Sequence, residues 1–204
     1  MDKICRIKDV IKLQEKDFFT GVCLLRSKSK KGLDHVITAV KNLGYDMYKC
    51  CAVFTLGVQR RDFVEELLLS LVMERKEIRE YKRKCKNFFW SCAANFYDFN
   101  YIASKLKTRD IYIDDSETIT PTEIVDKCLK VQRENGQRIE VIIINNIRFM
   151  KSDRLYPKSY CKKYRPIIER LDEIAKELDV LILAVDYKIA KNSWEELPDT
   201  SDIH

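Results

Sequence analysis

The stretch "EVIIINNIRFM", Glu140 to Met150, places two amide side chains where a buried strand should end. Val141 to Ile144 is a run of apolar β-formers, and Asn145 and Asn146 follow it directly. A carboxylate at such a strand end can hold a divalent cation, because Mg²⁺ and its waters favour anionic oxygen ligands. A neutral amide does not supply that charge. These residues therefore predict a strand-end site that has no metal-binding acid.

A second group of residues that could do chemistry is the basic run "RSKSKKG", which ends at Gly32. A phosphate-binding loop needs the spacing G-x-x-x-x-G-K-[ST], in which glycines let backbone N–H groups close on the phosphates and the hydroxyl holds magnesium. Here Lys30 stands in place of the second glycine and Gly32 in place of the hydroxyl residue. The run does not match this spacing on its own; a resemblance of the chain to a known family implies that Arg26, Lys28, Lys30, Lys31 and Gly32 are a degenerate phosphate loop.

The eight cysteines do not indicate a metal site, because no CxxC pair occurs and the only histidines are His35 and His204. Free thiols on apolar faces behave as small hydrophobic groups. We therefore predict buried, reduced cysteines and no metal; a disulfide framework is the alternative interpretation.

The length and composition indicate one folded domain. A chain of 204 residues with 46% hydrophobic and 34% charged residues can bury a substantial core and is too apolar to be disordered. No apolar run approaches membrane-spanning length, and the first residues lack the features of a signal peptide. We expect a cytoplasmic protein without a membrane partner.

Strand and helix patterns alternate along the chain. Apolar runs predict strands at Val22–Leu25, Cys51–Leu56, Ile111–Ile113, Val141–Ile144 and Val180–Val185. Helical spacing between them predicts helices over 33–40, 62–86, 96–106, 121–135 and 167–178, and Thr120, Pro121 and Glu123 form a capping box before the fourth. The pattern predicts an α/β fold with a parallel sheet covered by helices on both faces, in which ligands bind beyond the carboxyl ends of the strands.

Three segments carry a resemblance to a known family. They are "IYIDDSETITPTEIVDKCLKVQRENG", "IIERLDEIAKELDVLILAV" and "PDTSDIH". Their order and spacing resemble the C-terminal motor domain of DnaB-type replicative DNA helicases, which implies a three-layer RecA-like fold. The resemblance predicts a domain over 21–204 that is short at its C-terminus relative to the family, preceded by a segment over 1–20 that is a candidate docking helix or a cap on the sheet.

The resemblance also assigns family roles to individual positions, and this chain departs from each. Gly57 stands where the family has the glutamate that activates water, Asn145 where it has the magnesium-binding aspartate, and Tyr187 where it has a glutamine that senses the terminal phosphate. With the degenerate loop, these substitutions imply that ATP and Mg²⁺ are not cofactors. Two alternatives stay open: a generic α/β fold in which Asn145 only closes a strand, and a rebuilt ATPase that uses Asp186 or Asp115 for metal.

The formal net charge of +6 is distributed unevenly. The segment after Asn146 is predicted to be a basic loop, and the resemblance implies that loops at this position face single-stranded DNA. Lysine-rich loops attract phosphate backbones without reading sequence. A solvated loop without a ligand is the alternative. The nucleic-acid-binding candidates are Arg148, Lys151, Arg154, Lys158, Lys162, Lys163 and Arg165, with Tyr156, Tyr160 and Tyr164 as candidates for base stacking.

Three functions are consistent with these features. The first is a catalytically silent DnaB-like domain that binds single-stranded nucleic acid in DNA replication or mobile-element maintenance. The second is a protein-interaction module that docks on an active replicative helicase or assembles with itself. The third is a working ATP-dependent DNA helicase domain with remodelled residues.

Overall fold

Five parallel strands form one sheet in the part of the chain that the structure describes. The computed structural model describes residues 20–27, 32–73, 96–153 and 160–187. The strands are β1 (Gly21–Ser27), β2 (Cys51–Phe54), β3 (Ile111–Asp114), β4 (Val141–Asn145) and β5 (Leu181–Tyr187). Their order in the sheet is β1-β5-β4-β2-β3, with every neighbouring pair parallel. The predicted parallel sheet is confirmed.

Five α-helices of the described ranges pack on the sheet. They are α1 (Gly32–Val40), α2 (Arg60–Val72), α3 (Phe96–Leu106), α4 (Pro121–Asn135) and α5 (Tyr160–Leu178). A π-helical turn, Lys41–Asp46, continues α1, and a 3₁₀ turn, Ile147–Phe149, follows β4. Helices α1, α2 and α3 contribute to the core on one face of the sheet, and α4 and α5 to the core on the other. The three-layer arrangement predicted from sequence is therefore present.

Side chains of β4 alternate between the two cores. Ile142 and Ile144 pack with α4 and α5, whereas Val141 and Ile143 pack with α1 and α2. All four are fully buried. Burying one such side chain stabilises the fold by about 1.5–3 kcal/mol. This two-sided burial explains why the strand reads as a continuous apolar run.

The fourth helix begins and ends as its sequence predicts. The Glu123 N–H donates to Thr120 Oγ1 at 3.3 Å, and the Thr120 N–H donates to Glu123 Oε2 at 2.7 Å. Pro121 occupies the first turn, and Gly136 closes the helix with a φ of 68°. A left-handed residue after the last turn is the conformation that glycine adopts without a steric cost.

Two predicted helix boundaries were wrong. Helix α5 begins at Tyr160 and includes Pro166, so Tyr160, Lys162, Lys163 and Arg165 belong to a helix rather than to the predicted loop. The predicted start at Ile167 was too late. Pro166 lies inside the helix, because its fixed φ is compatible with a helix and only one backbone hydrogen bond is lost in the second turn. Helix α2 begins at Arg60, two residues before the predicted start. Its predicted continuation over 74–86 lies outside the described residues, as does the candidate docking segment over 1–20 except for Thr20.

Four cysteines lie in the two cores as free, buried thiols: Cys23, Cys50, Cys51 and Cys128. Burial raises the pKa of Cys50 to about 11 and that of Cys128 to about 12. The prediction of buried thiols is confirmed at these positions. In the described part of the chain, no three His, Cys, Asp or Glu side chains are grouped as metal ligands. No helix in that part has the length and apolar character needed to cross a membrane.

Candidate functional site at the carboxyl ends of the strands

The carboxyl ends of β1, β5 and β4 meet the beginning of α1. In the register of the sheet, Arg26 lies beside Asp186 and Asn145 beside Val185. Tyr187 is the last residue of β5 and contacts Gly32, the first residue of α1. The structure therefore brings together four of the residues singled out from sequence: Arg26, Gly32, Asn145 and Tyr187. Lys28, Lys30 and Lys31 lie outside the described residues.

The Tyr187 ring packs directly on the backbone of Gly32. A Cβ atom built at Gly32 would lie 2.0 Å from Tyr187 Cδ1 and 2.2 Å from Cγ, closer than real Cβ contacts. Tyr187 is 5% exposed. As long as the Tyr187 ring lies here, only glycine fits at position 32 without a steric clash. The sequence identified both residues as departures from the family, but it did not reveal that they touch.

The two asparagines have different environments. The Asn146 amide donates to the Tyr187 carbonyl at 2.7 Å, and its Oδ1 accepts from the Arg148 N–H at 3.1 Å, which caps the 3₁₀ turn. Asn145 is 0% exposed, and neither Oδ1 nor Nδ2 has a hydrogen-bond partner among the described residues. An unpaired buried polar group costs about 1–3 kcal/mol. Burial raises the pKa of Tyr187, and the nearby Asn145 amide offsets part of that rise without meeting hydrogen-bond geometry.

Asp186 lies between two arginines. Arg148 Nε is 2.6 Å from Asp186 Oδ1, and Arg26 Nε is 3.9 Å from Oδ2. The Asp186 side chain is 15% exposed. A carboxylate that is already neutralised by a close guanidinium makes a weak cation ligand. This pairing was not anticipated from sequence, because Arg148 was read as a nucleic-acid-binding residue of the loop.

Asp115 lies too far along the sheet to act with Asp186. It follows β3, which is separated from β5 by β2 and β4. Three strand spacings correspond to about 14 Å. Asp115 also accepts from the Arg60 backbone N–H and from its guanidinium, each at 3.1 Å. These bonds, the backbone bond first, hold the pKa of Asp115 below its ordinary value. The two acids named for a rebuilt metal site are therefore separate and both paired with arginines.

Gly57 lies in the turn after β2 with a φ of 73°. The nearest side chain to a Cβ built there is Phe149, at 3.4 Å. Space for a side chain exists, but a non-glycine residue would be strained in this left-handed conformation. Gly57 is thus held by its backbone rather than by packing.

Several nucleic-acid-binding candidates are engaged within the fold. Arg148 pairs with Asp186, and Arg165 Nε lies 2.8 Å from Glu169 Oε1. The Tyr164 hydroxyl donates to the Arg148 carbonyl at 3.4 Å, and its ring packs against the core, so it is not open for base stacking. Lys151 is exposed at the strand-end side. Arg154, Tyr156 and Lys158, and the side chains of Tyr160, Lys162 and Lys163, lie outside the described residues.

Comparisons with known proteins identify the family to which this chain is similar. The family model described as the DnaB-like helicase C terminal domain matches residues 32–204. The replicative DNA helicase DnaB of Pasteurella multocida (strain Pm70) is 29% identical over 96 residues, which are 46% of this chain and 20% of that protein. The DnaB of Buchnera aphidicola subsp. Baizongia pistaciae (strain Bp) is 32% identical over 80 residues, 39% of this chain and 17% of that protein. The chain thus aligns with a fifth or less of these helicases.

Solved structures agree with the fold. A chain solved as an ATPase domain matches with a TM-score of 0.67 at 16% identity, over 82% of this chain and 57% of that chain. A DnaB-like replicative helicase solved for its interactions with primase matches with a TM-score of 0.67 at 16% identity, over 91% of this chain and 43% of that chain. The RecA-like fold implied by the sequence is therefore confirmed. Because the family model covers most of the sequence, the chain belongs to the DnaB-like helicase C-terminal domain family.

Proposed function

We propose that this chain is a DnaB-like domain that does not hydrolyse ATP and that acts by binding single-stranded nucleic acid. The observation that carries the first half is the contact between Tyr187 and Gly32. The beginning of a helix presents free N–H groups and the positive end of its dipole, which makes it a place for a phosphate group. At the beginning of α1 an aromatic ring lies against the first residue instead.

The residues around this contact do not fit a magnesium–nucleotide pair. The position of the family's magnesium-binding hydroxyl is Gly32, and any hydroxyl residue there would collide with Tyr187. The position of its aspartate is Asn145, a buried neutral amide. The position of its glutamate is Gly57, which supplies no base. Phosphoryl transfer depends on positioning and charge stabilisation, so these losses act on the same transition state.

The test is nucleotide binding and turnover measured in parallel. We expect no phosphate release with ATP and Mg²⁺, and no binding of a fluorescent ATP analogue by the wild type at concentrations where family ATPases saturate. The double variant Gly32→Thr with Tyr187→Gln removes the ring and restores the hydroxyl. It should gain analogue binding without turnover, because Gly57 and Asn145 remain. Magnesium-dependent phosphate release by the wild type would sink the proposal.

The second half of the proposal rests on charge at the strand-end side. Lys151 is exposed there, and the segment that follows it, over 154–163, carries further lysines and tyrosines. Each phosphate neutralised by a lysine releases counterions, so binding should weaken steeply with salt. No cofactor is expected to be required, since the proposed binding is electrostatic.

The measurement for this half is the anisotropy of a labelled single-stranded oligonucleotide at low and moderate salt. Lys151→Gln should weaken binding and reduce the salt dependence by about one counterion. Lys130→Gln, which removes an exposed charge from α4, is the control and should bind as the wild type does. If the wild type binds no oligonucleotide at either salt concentration, this half fails, and association with a protein such as a replicative helicase becomes the better explanation.

A further inference from the structure

Three tyrosines and two cations lie at the opposite ends of the strands from the candidate site, near the amino ends of β2 and β3. We call this group the tyrosine–cation patch: Tyr45, Tyr48, Tyr101, Lys105 and Arg109. The Arg109 guanidinium carbon lies 3.7 Å from the centre of the Tyr48 ring and 5.0 Å from that of Tyr45. Lys105 Nζ lies 4.5 Å from the centre of the Tyr101 ring. The Arg109 N–H donates to the Leu106 carbonyl at 3.1 Å, so Arg109 and its two rings lie at the end of the helix that carries Tyr101 and Lys105.

The patch is exposed rather than part of a core. Tyr48 is 67% exposed and Tyr101 is 52% exposed, which makes them the two most exposed large hydrophobic side chains in the described part of the chain. An exposed tyrosine ring leaves a large apolar surface in water, and covering it with a ligand would be favourable. Each of these two rings has a cation on one face.

The backbone holds Tyr48 in an unusual conformation. Its φ is 57°, in the left-handed region that a tyrosine rarely adopts. Residues held in such conformations are concentrated at sites that bind ligands or move. Arg109 Nε donates to the Tyr45 carbonyl at 3.1 Å, which fixes the guanidinium beside both rings. The ring is thus presented outward by a rigid arrangement.

The cations of the patch are free of carboxylates. Among the described residues, no acid pairs with Lys105 or Arg109, whereas Arg60, Arg138 and Arg148 each have an acid at 3.1 Å or less. Lys107 adds an exposed positive charge two residues from each, and Asp46 is an exposed acid in the neighbouring turn. Asp110 follows Arg109 in sequence and lines the same surface depression as Tyr48 and Cys50, but among the described residues it forms no ion pair with either cation of the patch.

We infer that the tyrosine–cation patch is a second surface for single-stranded nucleic acid, on which bases stack against Tyr48 and Tyr101 while Lys105 and Arg109 neutralise phosphates. Stacking on aromatic side chains beside cations is how single strands are bound without sequence preference. The inference rests on the nucleic-acid half of the proposed function, and it adds to the Lys151 side a binding surface at the opposite ends of the strands.

The test compares two labelled oligonucleotides of equal length and charge, one of thymidines and one with abasic sites in place of the bases. Stacking requires bases, whereas phosphate binding does not. The variant Tyr48→Asn with Tyr101→Ala removes both rings, and asparagine tolerates the left-handed backbone at position 48. It should bind the thymidine strand roughly tenfold more weakly than the wild type does. Binding of the abasic strand should be unchanged.

The charges are tested separately. Lys105→Gln with Arg109→Gln should weaken binding of both strands and flatten the dependence on salt. Lys130→Gln is the control for loss of a positive charge elsewhere, and circular dichroism of each variant checks that it is folded. A uridine ribo-oligonucleotide, run beside the thymidine strand, separates RNA from DNA as the ligand.

Two results would overturn the inference. If the ring variant binds the thymidine strand as tightly as the wild type while Lys151→Gln weakens it, the patch is not the surface and the proposed function still stands. If the wild type binds neither DNA nor RNA, both the patch and the nucleic-acid half of the proposed function are wrong. A protein partner would then be the better candidate for the exposed rings.

Discussion

At the scale of single residues, the contact between Gly32 and Tyr187 has the largest effect on the interpretation of this domain. Each residue alone reads as a substitution at a family position. Together they are a packed pair in which one side chain is absent so that the other can be present. A ring that is 5% exposed is part of the structure, and its removal or displacement costs packing energy.

This contact makes a prediction about stability. Gly32→Ala places a Cβ in the Tyr187 ring and should lower the free energy of unfolding by about 1–3 kcal/mol through overpacking. The second variant, Gly32→Ala with Tyr187→Ala, has room for the added methyl group. The cost of the alanine at position 32 should largely disappear in that background. Urea unfolding of the four proteins in this double-mutant cycle measures the coupling. Additive effects would show that the two residues do not compete for space.

The residue scale also shows what the sequence could not predict. Asn145 and Tyr187 were identified by position, because motif spacing survives substitution. That Asp186 would pair with Arg148 was not predictable, since the two residues are far apart in sequence and meet only in the folded sheet. The same holds for Arg109, which reaches rings over 60 residues earlier in the chain.

At the scale of elements, an ion pair ties the end of β3 to α4. Lys127 Nζ lies 2.6 Å from Asp114 Oδ2 and 2.8 Å from the Ser116 hydroxyl. Partial burial alone raises the pKa of Asp114, but the hydrogen bonds from Lys127 and Ser116 outweigh it, and the pKa lies below its ordinary value. The carboxylate is therefore favoured in the folded state.

This arrangement predicts a pH dependence. Because the folded-state pKa of Asp114 is depressed, its stabilising effect is present above the ordinary carboxyl pKa of about 3.9 and is lost as the pH falls through the folded-state pKa. Lys127→Met should lower the free energy of unfolding at pH 7 by about 0.5–1 kcal/mol. The difference from the wild type should shrink in acid. Lys130→Met, from a more exposed pair, is the control. A difference that is equal at pH 7 and pH 3 would contradict the assignment.

Elements were predicted better than their ends. The capping box at Thr120 and the apolar face of α4 are local signals, so both limits of that helix followed from the sequence. Helix α5 was predicted to begin only at Ile167, because the apolar periodicity starts there and the basic residues before it were interpreted as a loop. Strand β2 was predicted to run to Leu56, because Thr55 and Leu56 are β-forming residues, but it ends at Phe54. A hydrogen bond from the Val58 N–H to the Thr55 carbonyl, at 2.7 Å, closes a turn there.

At the scale of the whole molecule, burial is strongest in the middle of the sheet. All five residues of β4 are buried, whereas those of β3 are only partly buried and pair with β2 alone among the described strands. Central strands covered on both faces open mainly by global unfolding, and edge strands open locally.

Hydrogen exchange followed by mass spectrometry should therefore rank the strands. We expect the amides of β4 and β5 to exchange most slowly, at rates set by global unfolding, and those of β3 to exchange faster. If the peptides over β3 were protected to the same degree as those over β4, another element or another molecule would have to cover this edge.

The packing of Tyr187 on Gly32 has a historical consequence. A chain with threonine or serine at position 32 has no room for this ring, so the tyrosine could be accepted only once the glycine was there, or together with it. With the ring buried, a hydroxyl residue at position 32 is expected to be harmful by itself, and so is loss of the ring. Changes at these two positions are therefore expected to be tolerated together more readily than singly.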